Sequence, residues 1–526
     1  MEYPWATQSH FHPGRFPRRA RLSRVPWVSA CCPRNIQRAC IPPGASYFGF
    51  VDQEPSSALE TRSTGPGSRL PRVGELVDLT IDDWGDKGRG IGRIGRMVVL
   101  TDRGLAGDRV RVRITGRRQR HMMADVVDII EPSPHRVEPP CRHFGLCGGC
   151  RLLDLEYSQQ LADKVRHMRE QLRRIGKIED LPDIETIACD PPYRYRNKME
   201  FSFGGVAGGG LHLGLHPREN YLEAFNLEEC WLTHESVSRV VGVVREYFAR
   251  CGEEPYHPAR HTGFLRFCVV RLGVNTGEML VNLITADRSW SDADEFGEHL
   301  RSQCPEVTTA LWTVNSQAAN IAAGDVRSIL FGRGNLLENL GPFEFEIAPT
   351  GFFQVNTRQA EKLFGRVAEW AGAACPDEIL DLYCGAGAIT LFLSSLTGKV
   401  TAVELHAESV AAAMRNAQRN RVTNCDFVTG DVLEFLRARA SAEQPFPTVV
   451  IDPPRAGLHP KAVKTLIAVC PQRIVYVSCN PPALARDLEL MGQAYRMTSL
   501  AAVDMFPHTP HVEAVALLEL RAGGIS

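Results

Sequence analysis

From about residue 350 onward the chain repeats one rhythm of apolar run, glycine loop, helix and apolar run. Residues 379–383 lead into Gly385-Ala386-Gly387 and then into a helical stretch beginning at Ile389. Residues 400–403 end in Glu404 and precede an Ala-rich helical stretch that closes near Asn420. Alternation of this kind predicts a doubly wound parallel sheet, which binds its ligands beyond the carboxyl ends of the strands. Two later apolar runs end in loops of unusual chemistry, Asp452-Pro453-Pro454-Arg455 and Ser478-Cys479-Asn480-Pro481.

At 526 residues the chain is too long for one core, so several domains are expected. Its 60 basic and 61 acidic side chains give no global field for nucleic acid, so any RNA-binding surface must come from local clustering. No apolar run is long enough for a membrane helix. Sixteen cysteines in a long α/β chain point to metal binding or catalysis in a reducing compartment rather than to disulfides, and hence to the cytoplasm.

Residues 1–69 are Pro-, Arg- and Ser-rich, with no acid between Glu2 and Asp52. Repeated prolines interrupt the amphipathic helix of a transit peptide, so this stretch reads as a disordered or mis-started extension. Residues 70–130 read as a small β-barrel of short alternating strands. Within it Arg109, Arg111 and Arg113 share one strand face, and Arg117, Arg118 and Arg120 follow directly. That strip is either a solvated face or a phosphate-contacting surface. Residues 139–345 form a central α+β region whose topology pattern alone does not fix. It opens on a cysteine cluster and a basic helical stretch running from Lys164 to Arg174. Residues 350–526 carry the doubly wound sheet.

The loop of Asp381, Gly385 and Gly387 brings the backbone close to an adenosyl ligand. Glu404, 19 residues after Gly385, is placed to hold ribose hydroxyls. The missing third glycine favours S-adenosylmethionine over a dinucleotide. Asp431 either reaches the adenine edge or caps the following helix. Asp452 closes a buried strand, and two prolines fix its carboxylate toward the crevice.

Cys479 then suggests methyl transfer to a pyrimidine carbon. Uracil C5 is a poor nucleophile until a thiolate adds to C6, and a base must afterwards remove the C5 proton. Glu513 is the candidate base, with Arg455 or His508 as cations favouring the thiolate. Cys141, Cys147 and Cys150 make a metal half-site, with Cys230 as the best remote fourth ligand. Zinc and an iron–sulfur cluster both take such a set.

Taken together these motifs, with Phe352-Phe353-Gln354-Val355-Asn356 and the stretch from Asp504 to Glu513, resemble the RNA uracil-C5 methyltransferases. The resemblance spans roughly residues 70–522. It implies a TRAM-like RNA-binding barrel and a class I methyltransferase sheet. It also implies a [4Fe-4S] cluster on Cys141, Cys147, Cys150 and Cys230, and S-adenosylmethionine contacts at Gln354, Tyr383, Glu404, Asp431 and Asp452. Cys479 and Glu513 take the places of nucleophile and base. Ala388 departs from the family pattern where some members carry an Asn contact, and Pro510 where a glycine is expected. Members joining a TRAM-like domain to the cluster mostly modify large-subunit rRNA, which makes 23S rRNA the expected substrate and tRNA the alternative. A non-catalytic RNA-binding or chaperone-like protein would leave Cys479, Glu513 and Asp452 without a task, and a nitrogen-directed methyltransferase would leave Cys479 idle.

Overall fold

The computed structural model describes residues 70–205, 210–218, 220–374, 376–441 and 446–522. The expected extension at 1–69 lies outside the described residues.

The first described element is a closed barrel of β1 (Leu76–Trp84), β2 (Gly90–Ile94), β3 (Met97–Thr101), β4 (Arg109–Arg117) and β5 (His121–Glu131), joined in the order β1-β2-β3-β5-β4. The period-two pattern sends Val77, Leu79, Ile81, Val110, Val112 and Ile114 inward, where they form the barrel's core. Gly92 has no room for a side chain, because a Cβ there would stand 2.4 Å from the Thr80 carbonyl oxygen.

Helix α1 (Tyr157–Arg174) and strand β6 (Ile184–Ile187) follow. Then comes a six-stranded sheet built from β7 (Lys198–Gly205), β8 (Leu211–Gly214), β9 (Leu265–Leu272), β10 (Met279–Thr285), β11 (Thr309–Val314) and β12 (Asp325–Phe331). Helices α2 (Glu235–Cys251) and α3 (Ala293–Gln303) supply Val240, Val244, Phe248, Phe296 and Leu300 to its core. The hairpin β13 (Leu336–Leu340) and β14 (Phe343–Ile347) leads into α4 (Thr357–Gly372), capped by the Asn356 side chain accepting from the Gln359 N–H.

The remaining chain alternates β15 (Glu378–Leu382), α5 (Ala388–Ser394), β16 (Lys399–Glu404), α6 (Ala407–Arg419), β17 (Cys425–Thr429), α7 (Val432–Ser441), β18 (Thr448–Ile451), α8 (Pro460–Val469), β19 (Arg473–Ser478), α9 (Pro481–Met491), β20 (Tyr495–Val503) and β21 (Glu513–Leu520). These strands form a sheet of order β17-β16-β15-β18-β19-β21-β20-β6. Strands β15 to β19 run parallel; β15, β16, β18 and β19 are mostly apolar and buried along nearly their whole length, as strands covered on both faces by helices are, whereas the edge strand β17 is only partly covered. Two features place the site. The strand order reverses between β15 and β18, opening a crevice at their carboxyl ends. And β21 runs antiparallel between β19 and β20, so its first residue arrives at the end where the parallel strands finish. The sheet's edge strand β6 comes from within 139–345 and pairs with β20.

Candidate active site

At the carboxyl end of β15 the backbone turns sharply through Tyr383 (φ +66°), Gly385 (φ +55°) and Gly387 (φ +83°). The turn is pinned because the Tyr383 and Cys384 N–H groups both donate to the Val403 carbonyl, at 2.9 and 3.2 Å. Glu404, at the end of the neighbouring β16, is buried and held by two backbone donors, Gly385 N at 3.2 Å and His406 N at 2.9 Å. Above Gly385 the space is open, since a Cβ there would meet nothing within 4 Å.

Asp381 is fully buried beneath this loop. One carboxyl oxygen accepts from the Thr390 hydroxyl at 2.5 Å and the other, Oδ1, has no partner. Burial pushes its carboxyl up to about 7, with Asp452 and Glu404 adding and the Thr390 hydrogen bond opposing. The Tyr383 hydroxyl is pushed up to about 12 by burial, with Asp431, Asp487 and Glu404 adding. Asp431 therefore lies within electrostatic reach of Tyr383, while its side chain caps α7 by accepting from Glu434 N at 3.0 Å. An open glycine turn, a clamped acid at the next strand end and an unpartnered buried carboxyl oxygen fit a polar adenosyl ligand. Gln354 is half-buried just ahead of α4, where its carbonyl accepts from the Asn197 side chain at 2.9 Å.

The second half of the site follows from register. Tyr476 of β19 pairs with Ile451 of β18, Ser478 pairs with Ala514 of β21, and Glu513 pairs with Val503 of β20. Asp452, Cys479 and Glu513 thus emerge side by side. Cys479 stands between β19 and α9, and Asn480 ties its loop to the Arg455 carbonyl through a 2.7 Å hydrogen bond. Arg455 faces the thiol and Glu513 together, opposing the rise in both their pKa values. Even so the Cys479 thiol is raised, first by burial and then by the Glu513 and Asp452 carboxylates. Glu513 is buried and pushed up to about 8 by burial and by Asp452. A carboxyl of that basicity is matched to taking a proton near neutral pH.

His508 corrects one expectation. It is not a cation beside Cys479: it is buried under α1, hydrogen-bonded to Gln160 and stacked on Tyr193 with ring centroids 4.7 Å apart. Burial and the Lys164 ammonium push it down to about 4, so its ring is neutral. Sequence reasoning also left out the carboxyl of Asp381 as a site group. Its position near the end of an apolar run, four residues before Gly385, was the available signal.

Cys141, Cys147, Cys150 and Cys230 gather around one cavity of about 410 Å³, whose wall also includes Thr509 from the loop leading to Glu513. The chain wraps tightly here, with Gly149 N donating to the Cys147 sulfur at 3.4 Å and an isolated bridge between Cys147 and Pro217. Burial and the neighbouring thiols raise Cys141, Cys147 and Cys150, and burial raises Cys230. Among the described residues no three His, Cys, Asp or Glu side chains close to the spacing of a metal site. The four thiols are convergent and all-sulfur, but not drawn in around an ion, so the iron–sulfur cluster is not shown.

The arginine strip on the barrel divides in two. Arg109 pairs with Glu131 at 2.8 Å and Asp78 at 3.7 Å, and Arg111 with Asp78 at 2.9 Å. Arg113, Arg117, Arg118 and Arg120 form no ion pair among the described residues, and the last three are exposed at one end of the barrel.

A model of the tRNA (uracil-5-)-methyltransferase family matches residues 297–521, and one of the TRAM domain matches residues 72–127. A protein of Nitratidesulfovibrio vulgaris named as an uncharacterized RNA methyltransferase is 40% identical over 450 residues, covering 85% of this chain and 96% of its own. One of the same description from Chlorobaculum tepidum is 36% identical over 473 residues, covering 85% and 97%. The solved structure of Pyrococcus abyssi tRNA (uracil-54, C5)-methyltransferase with S-adenosyl-L-homocysteine aligns with a TM-score of 0.69 at 29% identity, over 84% of this chain and 99% of that one. With its strand-end crevice, TRAM barrel and these relatives, the chain belongs to the tRNA (uracil-5-)-methyltransferase family and is an S-adenosylmethionine-dependent RNA methyltransferase.

Proposed function

We propose that this enzyme methylates C5 of a uridine in 23S rRNA through a covalent bond between Cys479 and C6. The observation that carries the reading is the convergence of Cys479, Glu513, Asp452 and Arg455 at one end of the sheet. The Cys479 thiolate adds to C6, which makes C5 a nucleophile. C5 takes the methyl group from the donor sulfonium, leaving S-adenosylhomocysteine. Glu513 removes the C5 proton, the C5–C6 double bond re-forms, and the thiolate leaves. Arg455 stabilises the thiolate, and Gln354, Tyr383, Glu404, Asp431 and Asp452 hold the methyl donor. The uridine has to be splayed out of its stack for C5 and C6 both to be reached.

In this reading the barrel of 70–130 grips the RNA, 139–345 carries the thiol set, and 350–526 carries the donor and the chemistry. Cys141, Cys147, Cys150 and Cys230 hold a [4Fe-4S] cluster that cross-links the loop of Cys141–Cys150 to the segment around Cys230. Support comes from their all-sulfur donor set around one cavity. In this reading the enzyme works in the cytoplasm, where its RNA is. No described helix is long and apolar enough to cross a membrane. The large-subunit RNA assignment rests on the joining of a TRAM barrel to a cysteine set. The similarity to an archaeal tRNA (uracil-54, C5)-methyltransferase favours tRNA as the second reading.

Trapping on RNA containing 5-fluorouridine tests the chemistry, because only addition at C6 leaves a stable adduct; its absence refutes the covalent route. Mass mapping of rRNA and tRNA from a deletion strain decides the substrate.

A further inference from the structure

We propose that Lys164 and Gln160, one helical turn apart on α1, together with Tyr195, whose hydroxyl donates to the Pro507 carbonyl at 3.1 Å, are positioning residues for Glu513, acting through the loop that joins β20 to β21. The inference rests on the proton-abstracting role given to Glu513 above and adds how that carboxyl is held in place.

The loop runs from Asp504 to Val512, with Val503 and Glu513 paired across its base. Its first residue carries a buried ion pair: the Lys164 ammonium donates to Asp504 Oδ1 at 2.7 Å and to the Phe506 carbonyl at 3.1 Å, and both side chains are 1% exposed. The Tyr157 hydroxyl donates to Asp504 Oδ2 at 2.9 Å. At the loop's crest the Gln160 carbonyl oxygen accepts from His508 N at 2.9 Å, and its amide lies 3.1 Å from His508 Nδ1. The same amide donates to the Leu152 and Leu155 carbonyls, each at 2.8 Å.

His508 holds φ +66°, a conformation unfavourable for a residue with a Cβ, which persists only where the surroundings over-determine it. They do so here. Its carbonyl accepts from both Arg151 N and Leu152 N, at 2.9 and 3.0 Å, immediately after Cys150.

A hairpin loop does not need a buried charge to close. Apolar residues of similar volume often stabilise a core as well or better, so stability alone does not account for this pair; in this proposal it fixes one arrangement. What this arrangement fixes is the entry of the chain into Glu513. A misplacement of about 1 Å at a reacting group costs on the order of a hundredfold in rate. Lys164 and Gln160 touch neither substrate nor donor in this scheme. They keep the carboxyl over the C5 proton.

The experiment uses the full chain with a paired exchange, Lys164→Met with Asp504→Leu. It removes the ion pair without leaving either charge buried alone, as Lys164→Met by itself would. A second variant, Tyr195→Phe, removes only the 3.1 Å hydrogen bond to the Pro507 carbonyl. Both should bind S-adenosylhomocysteine normally and capture 5-fluorouridine RNA at the wild-type rate, because that adduct has no C5 proton to lose. On uridine RNA the paired variant should release product at least about tenfold more slowly, with a methylated covalent conjugate accumulating. Tyr195→Phe should show the same pattern at about threefold.

A folded paired variant that releases product at the wild-type rate overturns the inference. So does one that loses capture and release in equal proportion. Should the paired variant fail to fold, wild-type release by Tyr195→Phe overturns it alone. Failure of the wild-type enzyme itself to capture 5-fluorouridine RNA is a different result, and it removes the covalent reading first.

Discussion

Replacing Glu513 with glutamine separates the two things its carboxyl does, which are to hold a proton in a buried site and to take one from C5. Glu513 is 5% exposed, and burial and Asp452 push it from its ordinary 4.5 up to about 8. The folded protein therefore binds this proton more tightly than the unfolded chain does. The resulting stability is fully present below about pH 4.5 and is lost as pH rises through about 8. Each pH unit in that window is worth about 1.4 kcal/mol, so by pH 7 about 3 kcal/mol of that stability is gone, because the unfolded chain has released the proton that the folded carboxyl still holds. Glutamine has the same shape and no charge to bury. Unfolding midpoints of the wild type and Glu513→Gln should coincide at about pH 4 and diverge upward, with the variant more stable by a few kcal/mol near pH 8. On RNA the order reverses. Wild-type release should accelerate with pH up to about 8 as the base ionises. Glu513→Gln should form the methylated adduct and stall, leaving a conjugate through Cys479 on a denaturing gel. A stability gap that does not grow with pH would refute the buried-carboxyl account. Normal turnover by Glu513→Gln, or an adduct mapped to another cysteine, would refute the assigned roles.

Cys479→Ala should abolish both adduct and methyl transfer while S-adenosylhomocysteine binding, measured by calorimetry, is retained. Arg455→Ala should slow capture of 5-fluorouridine RNA at neutral pH and shift its pH profile upward, because the cation opposing the raised thiol is gone. Replacing Arg113, Arg117, Arg118 and Arg120 by Ala should weaken RNA binding and lower the slope of log affinity against log salt by up to about three. Arg109→Ala, which breaks pairs already made within the barrel, should leave that slope nearly unchanged. Anaerobically purified protein should carry about four irons and four sulfides per chain. Cys230→Ser should lower both and destabilise the central sheet more than Cys251→Ser; stoichiometric zinc without labile sulfide would refute the cluster.

What the sequence by itself determined lies in short stretches: the alternation that closes the barrel, the apolar runs that become parallel strands, and the glycine turn after Asp381. Strand ends in such a sheet are where loops carry chemistry, so Glu404, Asp452 and Cys479 could be singled out from their neighbours alone. Gly385 and Gly387 were legible for the same reason, since the turn they make needs positive φ. Tertiary structure decided what depends on pairing between distant stretches. Ile184–Ile187 is too short to carry a periodic signal, yet it becomes the edge of the methyltransferase sheet. Lys164 reads only as one cation of a basic helical stretch and lies buried against Asp504. His508 reads as a cation for Cys479 and instead lies neutral beneath Gln160. Two arginines of the barrel strip are paired on the barrel's outer face with acids that only strand register brings beside them. Even the meeting of Cys479 with Glu513 depends on β21 entering antiparallel between β19 and β20, which brings the start of one strand beside the end of another. Local patterns encode which strand ends carry reactive groups; which of those ends become neighbours is set by non-local pairing, and no local pattern records it.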